Sequence, residues 1–428
     1  MAQNTFKTTA KIERALAFSW EAYKGFADHL EFHNELLPGA VDQTGYSKQI
    51  RRPGRHATTA TAPNPDLSLP GVTQPNVGYG VMADSSFTFA VTQRFEQNLQ
   101  VSMEDMLFNM EKEDVMNNHI IPATVDMRNK MNAYVASQIE AAAGNTLITD
   151  KSSDGYNSAI YQARQLMINR GGLIDGQDKT LLLNTGVLPT LATGNAKIFH
   201  SMDNANQFQK ADFAPIAGFN VFESPVLTTP TYTSFGTSMV VAAGYKVADL
   251  NTAVWTPTTS ITVSGGTASV LIKAGTKIKF TNGSTDIRWI VPTVGSDAGF
   301  VATFTVVSDA QLDASGNGVL VISEPIITGG DYVNVNAALV AGSTKITAVT
   351  PAGTLLTPSY AFGKSAVWLG SPAVKYPKGV DNGINMKLGG FNIALIEDHW
   401  AGTLTTITKL VAFLAVGIAK PEAITVIY

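Results

Sequence analysis

Leu404-Thr-Thr-Ile-Thr-Lys-Leu-Val-Ala-Phe-Leu-Ala-Val-Gly-Ile-Ala419 is the stretch whose reading decides the fold. Its apolar heart, Leu410 to Ala419, is ten residues flanked by Lys409 and Lys420. That is about half of the roughly 20 residues a membrane-crossing helix needs. Leu, Val, Ile and Thr follow one another without the alternation of a half-exposed strand, so the run predicts a strand buried on both faces. Only a central place in a sheet allows that.

Upstream, Ser86-Phe-Thr-Phe-Ala-Val-Thr-Gln-Arg-Phe95 does alternate, which puts Phe87, Phe89 and Val91 on one face of a second strand. After Pro122, suited to a first helical turn, Met127, Met131, Tyr134, Val135, Gln138, Ile139 and Ala142 trace the face of a long helix that stops at Gly144. At 1.5 Å per residue it spans roughly 30 Å, enough for the spine of a domain. A helix from Tyr156 to about Arg170 ends at Gly171-Gly172, a strand is expected at Thr180–Asn184, and a short helix at Val187–Ala192. From Val226 to about Pro358 short apolar runs alternate with Gly and Asn turns, predicting an all-β module inserted into another domain. Within it, Lys277–Thr281 and Ser284–Trp289 read as a hairpin about an Asn282-Gly283 turn, with Lys279 opposite Asp286, Ile278 opposite Ile287 and Lys277 opposite Arg288.

The 428 residues are long enough for two or three ordinary domains, and an apolar content of 45% supplies real cores. Charged residues are only 15%, against about 25% in typical soluble proteins. A chain with so little charge and so much apolar surface fits a subunit whose faces are covered by copies of itself. Thirty basic and 34 acidic residues leave a net charge of −4, which argues against tight DNA binding. With no cysteine, disulfides, thiolate zinc sites and cysteine nucleophiles are excluded. The N-terminal apolar stretch Ala15–Phe18 is too short for a signal peptide, so a soluble cytosolic protein is expected.

Ile12, Leu16, Trp20, Tyr23, Ala27 and Leu30 recur at steps of three and four and predict an N-terminal helix ending near Pro38-Gly39. Residues 42–80 have almost no large apolar residue and read as a protruding arm or hairpin. Lys48, Arg51, Arg52 and Arg55 form the one basic run, and Glu104, Asp105, Glu111, Glu113 and Asp114 an acidic one facing only Lys112. Like charges held close favour pairing, which makes an intersubunit contact between Arg51, Arg52, Arg55 and Glu104, Asp105, Glu111, Glu113 the candidate site. His29 and His33 stand one helical turn apart, but Glu31 lies two residues after the first, out of place for a zinc-protease motif. Gly363-Lys364-Ser365 lacks the upstream glycine of a phosphate-binding loop, there is no Gly-x-Ser-x-Gly elbow, and His399-Trp400 reads as an interface or capped turn. No catalytic residue, cofactor or metal site is expected.

The strand and acidic stretch lead into the spine helix ending in Gly144-Asn-Thr-Leu-Ile-Thr149, and a helix–strand–helix unit follows. Next come Ile216-Ala-Gly-Phe-Asn-Val-Phe-Glu-Ser-Pro-Val-Leu227 and then Gly275-Thr-Lys-Ile-Lys-Phe280, Ala302-Thr-Phe-Thr-Val-Val307 and Tyr332-Val-Asn-Val-Asn336. The chain closes with Ala419-Lys-Pro-Glu-Ala-Ile424. In order and spacing, over roughly residues 86–428, this resembles the major coat proteins of tailed double-stranded DNA bacteriophages of the P22 type, an α+β, HK97-like capsid fold with an inserted all-β domain. The resemblance implies an N-terminal arm (1–40), an extended loop (41–85) and a peripheral domain with the spine helix (86–150, completed by about 400–428). An axial domain (151–225 and 359–400) and the insertion (226–358) complete it. It further implies a structural, non-enzymatic protein that forms pentamers and hexamers of an icosahedral shell. The partners it brings are a scaffolding protein, a portal at one vertex, a decoration protein, and enclosed DNA that is not specifically bound. The location would be the virion, after assembly in the host bacterial cytoplasm. An encapsulin-like cargo shell and a carbohydrate-binding surface protein are the alternative readings.

Overall fold

In the computed structural model Thr405–Ile418 is one 14-residue strand. The structure describes residues 20, 25–51, 86–102, 121–150, 152–173, 177–191, 215–225, 227, 232, 234–242, 259–291, 295–328, 333–349, 357–376, 382–400 and 405–428. The main elements, in chain order, begin with β1 (Ser47–Arg51), β2 (Ser86–Ser102), α1 (Ile121–Ala142), β3 (Asn145–Leu147), α2 (Ser153–Asn169), β4 (Lys179–Asn184) and β5 (Asn220–Ser224). Eight short strands follow: β6 (Val240–Val241), β7 (Ser260–Ser264), β8 (Lys277–Asn282), β9 (Thr285–Asp286), β10 (Arg288–Val291), β11 (Thr303–Thr305), β12 (Gly318–Val321) and β13 (Thr344–Ala348). The chain ends with β14 (Ser359–Gly363), β15 (Val367–Gly370), β16 (Asn382–Leu388), β17 (Phe391–Trp400), β18 (Thr405–Ile418) and β19 (Ile424–Ile427).

β18 is central, as its composition predicts. β2 runs antiparallel along it from Ser102 opposite Thr405 to Val91 opposite Ala415, while β17 and then β15 pair with it over 405–412 and 415–418. Leu410, Ala412 and Leu414 point into one core, and Val411, Phe413 and Ala415 into another with Phe87, Phe89 and Val91 of β2. The period of two is thus present in space but hidden in the sequence, because both faces are apolar. β2 extends to 17 residues, well past the alternating stretch, because β18 templates its second half pair by pair.

α1 is the expected spine helix. Its Met127, Met131, Val135 and Ile139 share a core with the β18 face and with Leu182, Tyr360, Phe362, Ile424 and Val426 of a second sheet, ordered β3-β19-β14-β4-β5. The opposite face of that sheet, through Leu181, Leu183, Ala361 and Ile427, packs on Tyr156, Ile160, Ala163 and Met167 of α2. Ser152 caps α2 by accepting from the Gly155 N–H at 2.9 Å. Residues 188–191 are helical, inside the helix expected at 187–192, whose last residue lies outside the described set.

Between residues 227 and 349 every regular element among the described residues is a strand. Most form one sheet, β9-β8-β13-β6-β7-β12 with β11 also on β8, over a separate core that includes Trp289, Phe280, Phe304 and Ile346. Leu166 of α2 joins that core from outside.

Two local expectations are corrected. The N-terminal helix does not run through residues 25–38: this segment is a 3-10 turn at Phe26–His29, a two-residue strand Glu31–Phe32 and a second 3-10 turn at Asn34–Leu36. Glu31 and Phe32 pair in parallel with Trp368 and Leu369, and the His33 N–H donates to the Leu369 carbonyl at 2.7 Å, so the backbone is committed to the sheet. The apolar positions still bury, Trp20, Ala27 and Leu30 among them. In the hairpin, Thr281 pairs Asp286 and Asn282 pairs Thr285, so the loop is Gly283-Ser284. Gly283, at φ +61°, supplies the left-handed residue, while Asn282 is held in the strand by its bond to the Ala338 carbonyl at 2.9 Å. Lys279 then reaches Asp286 diagonally at 2.9 Å, Ile278 faces Phe304 and Ala348, and Arg288 turns away to Val301.

Candidate functional site

A helix ends with carbonyls that have no partner within the helix, and at the C-terminal end of α1 three other parts of the chain supply one. Lys277 Nζ donates to the Glu140 carbonyl at 2.6 Å, Thr305 Oγ1 to the Ala143 carbonyl at 2.8 Å, and Arg170 Nη1 to the Gly144 carbonyl at 2.9 Å. One of these donors, the Arg170 guanidinium, is a cation, which the negative end of a helix favours. Lys277 Nζ also donates to Thr305 Oγ1 at 2.8 Å. Gly144 is required there, since a Cβ would stand 2.6 Å from the Pro421 carbonyl oxygen.

The Glu140 carboxylate faces the other way, into a cluster of phenols. Tyr232 and Tyr428 donate to Oε1 at 2.8 and 2.6 Å, Tyr360 to Oε2 at 2.9 Å, and the Tyr232 and Tyr428 hydroxyls are 2.8 Å apart. Burial and then the Glu140 charge push the Tyr232 and Tyr428 phenols above their usual range. Lys277 is wholly buried. Burial pulls its ammonium down to about 7, although attraction to Glu140 opposes the shift.

Arg170, the residue closing α2, extends the junction. Nη1 also donates to Asn145 Oδ1 at 2.7 Å, Nη2 lies 2.5 Å from Glu324 Oε2, and the guanidinium stacks 3.6 Å from the Trp289 ring centroid. Asn145 Nδ2 in turn donates to the Glu422 and Ile424 carbonyls at 2.9 and 3.1 Å. Nearer the start of α1, Arg128 donates to Asp28 Oδ2 and to the Trp20 carbonyl, with its guanidinium 4.6 Å over the Trp20 ring. These arrangements hold elements together.

Arg51 lies at the end of β1 opposite Ser86, and Lys48 opposite Phe89. Arg52, Arg55, Glu104, Asp105, Glu111 and Glu113 lie outside the described residues. The 17 residues of β2 run from Ser86, beside Arg51, to Ser102, just before the acidic run. Its two ends are therefore roughly 50 Å apart. His29 stacks on Phe222 at 4.2 Å, whereas His33 sits 3.1 Å from Glu35 Oε1, 3.7 Å from Glu31 Oε2 and 4.1 Å from the Trp368 ring. The two imidazoles serve different neighbours. Gly363-Lys364-Ser365 is a strand end running into a 3-10 turn, and His399 and Trp400 lie within β17 opposite Thr406 and Thr405, in place of a capped turn.

Sequence reasoning missed Arg128, Glu140, Arg170 and Lys277. Arg128 and Glu140 each follow a core residue, Met127 and Ile139, on the buried face of α1. A charge one step from each apolar position of a spine helix is the signal that was there to be read. Lys277 carries none, because by alternation it belongs to the same face as half-exposed Lys279.

No protein-family model and no curated protein matches the chain. Among solved structures it is similar to the capsid of cyanophage P-SCSP1u, at 11% identity over 95% of this chain and 88% of that one with a TM-score of 0.48. It is also similar to the mature capsid of bacteriophage PhiM1, at 11% identity over 95% and 86% with a TM-score of 0.44. A third is a virus-like particle from Pyrococcus furiosus, at 7% identity over 98% of both chains with a TM-score of 0.40. Two are phage capsids and one is a virus-like particle.

Proposed function

We propose that the chain is a structural shell subunit, the major capsid protein of a tailed bacteriophage with an HK97-like fold of the P22 type. In this reading residues 226–358 form the insertion domain, the spine helix belongs to the peripheral domain, and residues 151–225 with 359–400 form the axial domain. The subunit assembles with a scaffolding protein into hexamers and pentamers around packaged DNA, with a portal at one vertex and a surface open to a decoration protein.

The observation that carries the reading is β2. Arg51 of the basic run lies beside one end of this strand, which is roughly 50 Å long, and the acidic run follows its other end in the sequence. Complementary basic and acidic runs on one chain favour a head-to-tail contact between copies, and such contacts form rings where the rotation between copies closes. The co-linear motifs of the sequence support the same reading. A net charge of −4 suits a container that must not adsorb its nucleic acid.

The test is co-expression with the scaffolding protein, followed by sedimentation and electron microscopy. Large closed particles are expected, and a stable monomer alone would sink the proposal. Particles holding a cargo enzyme without DNA or portal would favour the encapsulin-like alternative. Reversing Arg51, Arg52 and Arg55 to Glu should block assembly while leaving the subunit folded, and a second reversal of Glu104, Asp105, Glu111 and Glu113 to Lys should restore it.

A further inference from the structure

The end of α1 is where the β-rich region meets the rest of the chain, and the tie there is built around an amine with no access to water. Lys277 Nζ has two acceptors, the Glu140 carbonyl and Thr305 Oγ1. Thr305 Oγ1 gives its own proton to the Ala143 carbonyl and so receives from the amine. Two acceptors match the two N–H bonds of a neutral amine; an ammonium would carry a third that these bonds leave unmet. The nearby carboxylate of Glu140 is engaged elsewhere, accepting from Tyr232 and Tyr428 at Oε1 and from Tyr360 at Oε2. The other charged pair at this helix end is Arg170 with Glu324, joined through Nη2 and Oε2, while Arg170 Nη1 is taken by the Gly144 carbonyl and Asn145 Oδ1. On its own strand the next cation, Lys279, is paired with Asp286.

We propose that Lys277 is a proton-sensitive clasp: as a neutral amine it fastens β8 and β11 to the end of α1, and when it gains a proton the clasp loosens. The inference concerns the single chain and stands whether or not the chain builds a shell. The sign follows from linkage. The amine of the closed form takes up its proton only near pH 7, whereas in an opened form it does so near its ordinary 10.5. Opening therefore binds a proton throughout the window between them, and the closed form gains as pH rises from 7 toward 10. Full exposure on opening corresponds to a fall in the opening constant on the order of 50-fold between pH 7 and pH 9.

Hydrogen exchange of the full chain, corrected for the intrinsic pH dependence of amide exchange, measures this directly. Peptides covering the end of α1 and β8 are expected to become better protected as pH rises from 7 to 9. In Lys277→Met their protection should be flat with pH, while peptides from β16 and β17 behave alike in both proteins. Glu140→Gln keeps the lysine but removes the attraction that favours its charged form, so the transition should move to lower pH. The proposal is overturned if Lys277→Met retains the wild-type slope, if the wild-type slope is absent, or if Glu140→Gln leaves the transition in place or raises it.

Discussion

Replacing Arg170 by Met removes the guanidinium that ties α2, the end of α1, the C-terminal segment and the β-rich region at one point. The side chain is 4% exposed and its partner Glu324 16% exposed. Methionine keeps the stem and loses every polar contact. Two acceptors, the Gly144 carbonyl and Asn145 Oδ1, then lose their donor, and Glu324 loses its counter-charge. Leaving one member of a buried pair alone costs about 3 to 5 kcal/mol. Each abandoned neutral acceptor costs about 1 to 3 more where water cannot replace the donor. Glu324 is near enough to the surface to relax toward water, so the lower part of the combined range applies, and about 4 kcal/mol is expected. Urea-dependent hydrogen exchange of residues 145–147 and 166–173 is the right readout, since the described residues form four cores and need not unfold in one step. The double variant Arg170→Met/Glu324→Gln removes the orphaned charge as well. It should be more stable than the sum of the two single losses by at least about 1 kcal/mol. A single-variant cost under about 1 kcal/mol, or strict additivity, would refute the view that this junction is a cooperative polar tie.

Three further outcomes are expected. Gly172→Ala places a Cβ 2.6 Å from backbone atoms of Glu422 and Ala423, which no side-chain rotation can relieve, whereas Gly39→Ala meets nothing within 4 Å. Thermal melting should fall clearly for the first, by about 1 to 3 kcal/mol of stability, and stay put for the second. Leu414→Ala and Phe413→Ala empty neighbouring positions of β18 on opposite faces of the sheet, and denaturant titration should show losses of about 2 to 5 and 3 to 5 kcal/mol. A negligible loss for either one would contradict a strand with two buried faces. At Asp286, burial raises the carboxyl, but bonds from Thr281 and Lys279 and the charges of Lys279 and Arg288 outweigh it and hold the group below its usual value. Its stabilising share is present above the ordinary carboxylate range and lost as pH falls. Asp286→Asn should accordingly flatten the stability decline from about pH 5 downward, and an unchanged acid titration would count against that pairing.

What could be read from the sequence followed from whether one pattern had one cause. Phe87, Phe89 and Val91 alternate because one side of that part of β2 packs on a core, and Met127, Met131, Val135 and Ile139 step by four because one side of α1 does. The N-terminal stripe failed at this: Ala27 and Leu30 are buried as a helix would bury them, yet the segment is drawn into a parallel pairing with β15 that no local preference announces. The hairpin turn missed by one residue for a related reason. Asn-Gly marks the turn, but Asn282 is committed to Ala338 and Thr344, some sixty positions away, and the loop slid to Gly283-Ser284. The polar ties were the least legible of all, since Lys277 and Glu140, Arg170 and Glu324, and Arg128 and Asp28 become partners only after the sheets have formed.

Those ties also change what the low charge of the chain means. A chain with 15% charged residues would be expected to keep nearly all of them in water, because burying an ion is costly unless it is paired and bonded. Yet Arg128, Glu140, Arg170, Lys179 and Lys277 are buried, and all but Lys179 act at α1 or its end. Well-packed apolar side chains could stabilise the same joints at least as well. What an apolar joint lacks is direction: Leu against Leu tolerates a sliding helix, whereas Nζ at 2.6 Å and Nη1 at 2.9 Å from two successive parts of a helix end do not. The polar ties inside this molecule therefore fix where the β-rich region and the second sheet stand relative to the spine helix, while the apolar cores supply most of the stability. On that account Lys277→Met at pH 7 should alter overall stability little while changing how tightly β8 follows α1, and a large loss of stability with that linkage intact would reverse the assignment.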